Sequence, residues 1–254
     1  MCGRSLHYPR RELLSVLTVG INHLCELTLR CNELEDRTYM AIGSCMKLTS
    51  LQLYSCWLMT RRGAEFVIQP PLLRRLHVTG ARMVRSKSLS IMMELLPAGI
   101  EEIVLSAMWF GDEHVKALIK RLPNLKVAEF WRCQLTVSGA LQLAAGLPQL
   151  RVLDLDLTLT SDNMRKLAAH PSLRMVRCQP EDVTDSCAFF VPDKLVPDKK
   201  LCILSVKAPY KSQYFRNDKG EGFRASLLYY WTRDIDLDLV DLANSKPQAA
   251  QHLG

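Results

Sequence analysis

The sequence predicts an α/β solenoid, a curved parallel sheet on the concave side with helices or turns on the convex side. Two observations predict it. An L-x-x-L-x-L ladder restarts seven times, at Leu24, Leu48, Leu73, Ile100, Leu125, Leu150 and Leu173, at intervals of 24, 25, 27, 25, 25 and 23 residues. Each ladder is followed by a stretch whose apolar spacing is helical. One such fragment is unremarkable in a chain that is 48% hydrophobic. Seven at a nearly fixed period mark stacked supersecondary units, none of which can bury its apolar face alone.

The elements follow in order. Met1–His23 carries Arg4, Arg10 and Arg11 against Glu12. Its ELLSVLTV stretch reads as a capping helix over the first unit's open edge, with a mitochondrial presequence as the other reading of the same basic, serine-containing segment. The ladders read LCELTL, LTSLQL, LRRLHV, IEEIVL, LKVAEF, LRVLDL and LRMVRC. Their closing two-residue alternation is that of a short strand with one buried face. An inward residue follows at the ninth position (Asn32, Cys56, Ala81, Met108, Cys133, Thr158), and usually a second one (Leu34, Leu58, Met83, Phe110, Leu135). Helices come next. In DEHVKALIKRLPNL, Val115, Leu118, Ile119 and Leu122 form a stripe that Pro123 ends. In TVSGALQLAAGLPQL the stripe is Leu141, Leu143, Ala144 and Leu147, closed by Gly146 and Pro148. From about Gln179 the period breaks. The strand-like KLCILSV, the turn-rich KSQYFRNDKGEGF, SLLYYW and DIDLDLVDL suggest a C-terminal cap or a partner-binding extension, and SKPQAAQHLG reads as a disordered tail. The expected organisation is 1–23 cap, 24–179 solenoid, 180–254 extension.

These units resemble leucine-rich repeats, closest to the ribonuclease-inhibitor-like and cysteine-containing classes of intracellular proteins. The L-x-x-L-x-L cores, Asn32, Cys56 and Cys133 at the ninth position, and SGALQLAAGLPQL carry the resemblance, over roughly 24–180. It implies a solenoid that holds a protein partner. Ala81, Met108 and Thr158 depart from the usual Asn or Cys, and Ala128 from the usual Leu, which implies irregular curvature.

Composition bounds the rest. Nine cysteines are scattered without CxxC pairs, the usage of a reducing intracellular compartment, with cytoplasm and mitochondrion both open. No apolar run has the length of a membrane span. Net charge is +2 over 1–23, +6 over 24–179 and −1 over 180–254, summing to +7.

Side chains at the third, fifth and seventh positions of each ladder should project from the concave face. Trp131 stands out there as a large aromatic without a core to fill, a candidate anchor unless the extension packs over it. Tyr54, His77, Glu102, Glu129, Asp154 and Asp156 complete the expected partner surface, an acidic half facing a basic half near Arg74, Arg75 and His77. A second feature is the run Arg61, Arg62, Arg74, Arg75, Arg82, Arg85 and Lys87, opposed by Glu65 alone. It reads as a patch for phosphate, RNA or an acidic protein, or as a solvated surface. No HExxH, phosphate loop or Cys–His spacing occurs. K-G-E-G at 219–222 is a turn, and D-I-D-L-D at 234–238 lacks a calcium loop's central Gly and closing Glu. No catalytic residue, cofactor, metal or small-molecule substrate is expected. A non-enzymatic interaction module, scaffold or accessory subunit of an intracellular complex is the first reading; an RNA- or ribonucleoprotein-associated factor is the alternative.

Overall fold

A computed structural model describes residues 21–31 and 34–180 continuously, together with Leu14, Leu17, Val19, Phe189–Phe190 and Cys202–Ser205. Asn32, the turn-rich run 211–223, SLLYYW, DIDLDLVDL and the final SKPQAAQHLG lie outside the described residues. Strand and helix alternate: β1 (Glu26–Arg30), α1 (Asp36–Gly43), β2 (Ser50–Tyr54), α2 (Arg61–Val67), β3 (Arg75–Thr79), α3 (Ser86–Leu95), β4 (Glu102–Ser106), α4 (Asp112–Arg121), β5 (Val127–Trp131), α5 (Val137–Gly146), β6 (Val152–Leu159), α6 (Ser161–Ala168) and β7 (Met175–Pro180). The strands lie side by side in sequence order, β1 to β7, all parallel. This is the α/β solenoid the ladder predicts, with LKVAEF and LRVLDL on adjacent rungs. β9 (Cys202–Ser205) adds parallel to β7, and β8 (Phe189–Phe190) pairs antiparallel with β9.

The alternation within each strand sets the core. Leu51, Leu53, Leu76, Val78, Ile103, Leu105, Ala128, Phe130, Leu153, Leu155 and Val176 all point to one side and are buried. The helices cover them with Ile42, Val67, Leu89, Met93, Val115, Leu118, Ala140, Leu143 and Leu167. In α5, Ala140 is fully buried and Leu141 only partly so, a rotation of the expected stripe. Ala128 shares the inward side of β5 with Phe130, two residues on, whose ring stacks on Phe110 at 4.4 Å and 6°.

Each strand must then turn into its helix, and here the units divide. In the first three, an i→i+3 turn closes: Leu34 N–H to Cys31 O, Met59 N–H to Cys56 O, Val84 N–H to Ala81 O. The buried pair is Cys31/Leu34, Cys56/Met59 and Ala81/Val84. In the fourth and fifth units, buried Met108/Phe110 and part-buried Cys133 with buried Leu135 stand two apart, one residue fewer between strand and helix than in the second and third units, and Gln134 N–H bonds Phe110 O across the two turns. Leu58 and Met83, expected inside, are therefore exposed, because the extra residue makes them the second central position of a β-turn. Thr158, also expected inside, is exposed. β6 carries a register shift between Asp154 and Thr158, and Leu159 takes the buried place. The residue leaving the strand is left-handed at Ser55 (φ 58°), Gly80 (78°), Ala107 (53°) and Arg132 (51°), so three non-glycine residues hold a conformation that costs on the order of 1 kcal/mol each.

Helix starts are tied across units. Thr60 and Thr136 cap α2 and α5, accepting from Arg62 and Gly63 N–H and from Ser138 and Gly139 N–H. Each threonine in turn donates its hydroxyl to the first-turn aspartate of the preceding helix, Asp36 or Asp112. Thr136→Ala removes both contacts. An unfolding free energy lower by about 1–2 kcal/mol is expected from chemical denaturation, and an unchanged midpoint would mean the cap is dispensable.

Candidate interaction surface

The face turned away from the helices is built by register. Parallel pairing aligns Thr28, Gln52, His77, Val104, Glu129, Asp154 and Arg177 into one row across the sheet. Glu26, Ser50, Arg75, Glu102, Val127, Val152 and Met175 form the row beside it on the same face. Tyr54, Ser106 and Trp131 stand at the far ends of their strands, and Asp156 lies in the middle of the longer β6. The sequence arithmetic thus brings Tyr54, His77, Glu102, Glu129, Trp131, Asp154 and Asp156 onto one face.

Their exposure departs from the expectation of freely projecting groups. Gln52, His77, Glu129, Asp154 and Arg177 are buried, while Tyr54, Glu102, Trp131 and Asp156 are half-buried. Rungs in a sheet stand about 4.8 Å apart, close enough for neighbouring polar groups to satisfy one another laterally. Arg177 Nη1 donates to Asp154 Oδ2 at 2.6 Å and His77 Nε2 lies 2.5 Å from Glu102 Oε1; within β2, Tyr54 Oη donates to Gln52 Oε1 at 2.9 Å. The bases expected to face the acidic group are not free. Arg75 reaches Glu26, at 2.8 Å, and Arg74 and Lys126 share Glu101 at 3.2 and 2.6 Å. Each of these bases is engaged by a carboxylate on another rung.

The centre of the row is electrostatically uneven. Glu129 and Asp154 are adjacent carboxyls with one guanidinium, Arg177, between them and charge balance. Burial pushes Glu129 up to about 8, with the Asp154 charge adding to it and Arg177 opposing. Asp154 is raised too, by burial, while Arg177 and the Trp131 side chain pull it back. Asp154 Oδ1 is buried without a hydrogen-bond partner among the described residues. The folded chain thus keeps a Glu129 proton that the unfolded chain releases above about 4.5, so stability falls as pH rises from there to about 8. Glu129→Gln removes that dependence. The variant should melt like the wild type at the acid end of this window and increasingly above it towards the alkaline end, at up to about 1.4 kcal/mol per unit of pKa shift. An equal difference at both ends would place the carboxyl in water.

The basic run is divided by the fold. Arg74 and Arg75 sit at the N-terminal end of β3, where both have carboxylate partners. Arg61, Arg62, Arg82, Arg85 and Lys87 gather at the opposite end, on the turns and first helical residues of the second and third units. Arg61 there pairs with Glu65, and Arg85 lies over the Trp109 ring at 5.6 Å. Histidines outside the row serve the backbone. His114 accepts from Gly111 N–H and its Nε2 reaches Ser86 O at 3.0 Å; His170 accepts from Leu173 N–H and reaches Leu147 O. Among the described residues no three His, Cys, Asp or Glu side chains are placed to hold a metal ion, and no helix is long and apolar enough to cross a membrane. Arg177 and Gln52 belong to the row and were missed as site residues. The signal was there, since both occupy the fifth ladder position.

No protein-family model and no curated protein matches this chain. Among solved structures it is similar to a chain in the crystal structure of the yeast Rad7 and Elc1 complex, at 12% identity over 76% of this chain and 70% of that one, with a TM-score of 0.37.

Proposed function

We propose that this chain is a non-enzymatic protein-interaction module, a scaffold or accessory subunit of an intracellular multiprotein complex, whose partner lies on the concave face over Tyr54, His77, Glu102, Glu129, Trp131, Asp154 and Asp156. The observation that carries the reading is Trp131. It ends β5 half-exposed, above a row whose charges are already locked in lateral pairs. An amphipathic aromatic held beside a largely buried, laterally paired polar floor is the arrangement that hot spots favour. The buried row would supply position and rigidity, and the half-exposed residues the contact. Free thiols at Cys31, Cys45, Cys56 and Cys178, all buried, suit a reducing compartment.

The RNA-associated alternative rests on the seven basic residues. Their separation to two ends of the strands, with Arg61, Arg74 and Arg75 paired to carboxylates, leaves no continuous phosphate track. Affinity purification of the full chain with quantitative mass spectrometry, wild type beside Trp131→Ala, tests the choice. Loss of an interfacial Trp costs about 2 kcal/mol or more, so partner recovery should fall about thirtyfold in affinity terms with little change in melting. Full recovery with an unchanged melt would refute the concave site.

A further inference from the structure

The turns of the second and third units carry residues that a turn does not call for. The two central positions of a β-turn project into solvent and are ordinarily Gly, Asn, Asp, Ser or Pro. Here they are Trp57–Leu58 and Arg82–Met83, between the bonded pairs Cys56/Met59 and Ala81/Val84. Trp57 is 60% exposed, Leu58 54% and Met83 59%. The turns are neighbours, because their strands are adjacent in register. Their placement is fixed by backbone. Gly80 is left-handed, and a Cβ there would come within 2.8 Å of the Trp57 ring, so Trp57 lies against the bare glycine. On the far side, the Trp109 indole N–H donates to Arg82 O at 2.9 Å. The Arg82–Met83 turn is thus flanked by two tryptophans, one on each neighbouring unit. Arg62, Arg82 and Lys87 around it form no ion pair among the described residues, while the nearby carboxylates are engaged: Glu65 with Arg61 and Glu113 with Ser86.

We infer that this turn edge is a second interaction surface, separate from the concave face, and that it takes an acidic protein segment bearing large apolar side chains. Contiguous exposed apolar groups rimmed by charge mark such sites, and Trp, Met and Arg are enriched in them. The unpaired arginines and lysine set the sign of the partner. Nucleic acid fits less well. Stacking of bases needs open aromatic faces, whereas Arg85 covers one face of Trp109, Gly80 backs Trp57, and Leu58 and Met83 are aliphatic.

The test pans a random peptide library displayed on phage against the immobilised full chain. The leading peptide is then resynthesised and measured by fluorescence anisotropy, beside a short single-stranded RNA of mixed sequence. Enriched peptides should combine Asp or Glu with Leu, Phe, Met or Trp. Trp57→Ala/Met83→Ser and Arg82→Glu/Lys87→Glu should each weaken binding by about tenfold or more, as loss of interface anchors does, and Trp131→Ala should leave it unchanged. Both double variants alter exposed groups and should melt near the wild type; Leu58→Ser replaces the first if it does not. The inference is overturned by an absence of enrichment, by peptides without acidic residues, or by binding that both double variants retain. RNA binding that both variants lose overturns it too, as does wild-type self-association that Trp57→Ala abolishes. Peptide binding lost only with Trp131→Ala would refute this surface and leave the concave one standing.

Discussion

Arg177→Met should lower the unfolding free energy by about 3–5 kcal/mol near neutral pH, the usual consequence of stranding a buried charge. Asp154 is 1% exposed and Arg177 4%, and the pair is joined at 2.6 Å. Without the guanidinium, the Asp154 carboxylate is left buried beside protonated Glu129 on the adjacent rung, with no cation to offset its charge. The deficit should depend on pH in one direction. Asp154 already titrates above the ordinary aspartate value of 3.8, and removal of Arg177 raises it further, so the variant folds by taking up protons. Its deficit should shrink towards about pH 4 and widen as pH rises. Chemical denaturation at both ends of that range decides. A deficit independent of pH would mean that Asp154 stays ionised in contact with water, and the row would then be a hydrated groove.

Leu153→Ala and Leu105→Ala should each cost about 2–5 kcal/mol, since both side chains are fully buried and the sheet–helix sandwich cannot collapse onto the space. Because each unit touches only its neighbours, the two losses should add. Leu153 lies beside the β6–β7 register shift, where local relaxation is easier, so its cost should be the smaller of the two. Unchanged melting in both variants would contradict the assignment of these positions to the core.

Much of this architecture is legible in the sequence because it rests on counting. The inward leucines recur every two residues in a strand and every 23 to 27 between strands, and parallel in-register pairing turns that count directly into rows. What the count cannot supply is the length of each turn. Apolar type alone puts Leu58 and Met83 inside, whereas the extra residue in those two turns gives the inward place to Met59 and Val84. Nor does type alone show burial on the concave face. Whether Asp154 or His77 meets water depends on the residue one rung away, Arg177 or Glu102, which lies 23 or 25 positions distant in the chain. Thr158 failed for a third reason, a local bulge that shifts the inward site by one.

The two kinds of turn also say where this chain can change length. A residue lost or gained inside a strand would invert its faces and drive leucines into water. At the strand exits the chain already exists in a longer form, in the second and third units, and a shorter one, in the first, fourth and fifth, with the same strand register on either side. Insertions and deletions can therefore be absorbed there without disturbing the stack. The surface that tolerates such editing is the one that displays Trp57, Leu58 and Met83, so what it recognises can drift while the scaffold behind it stays fixed.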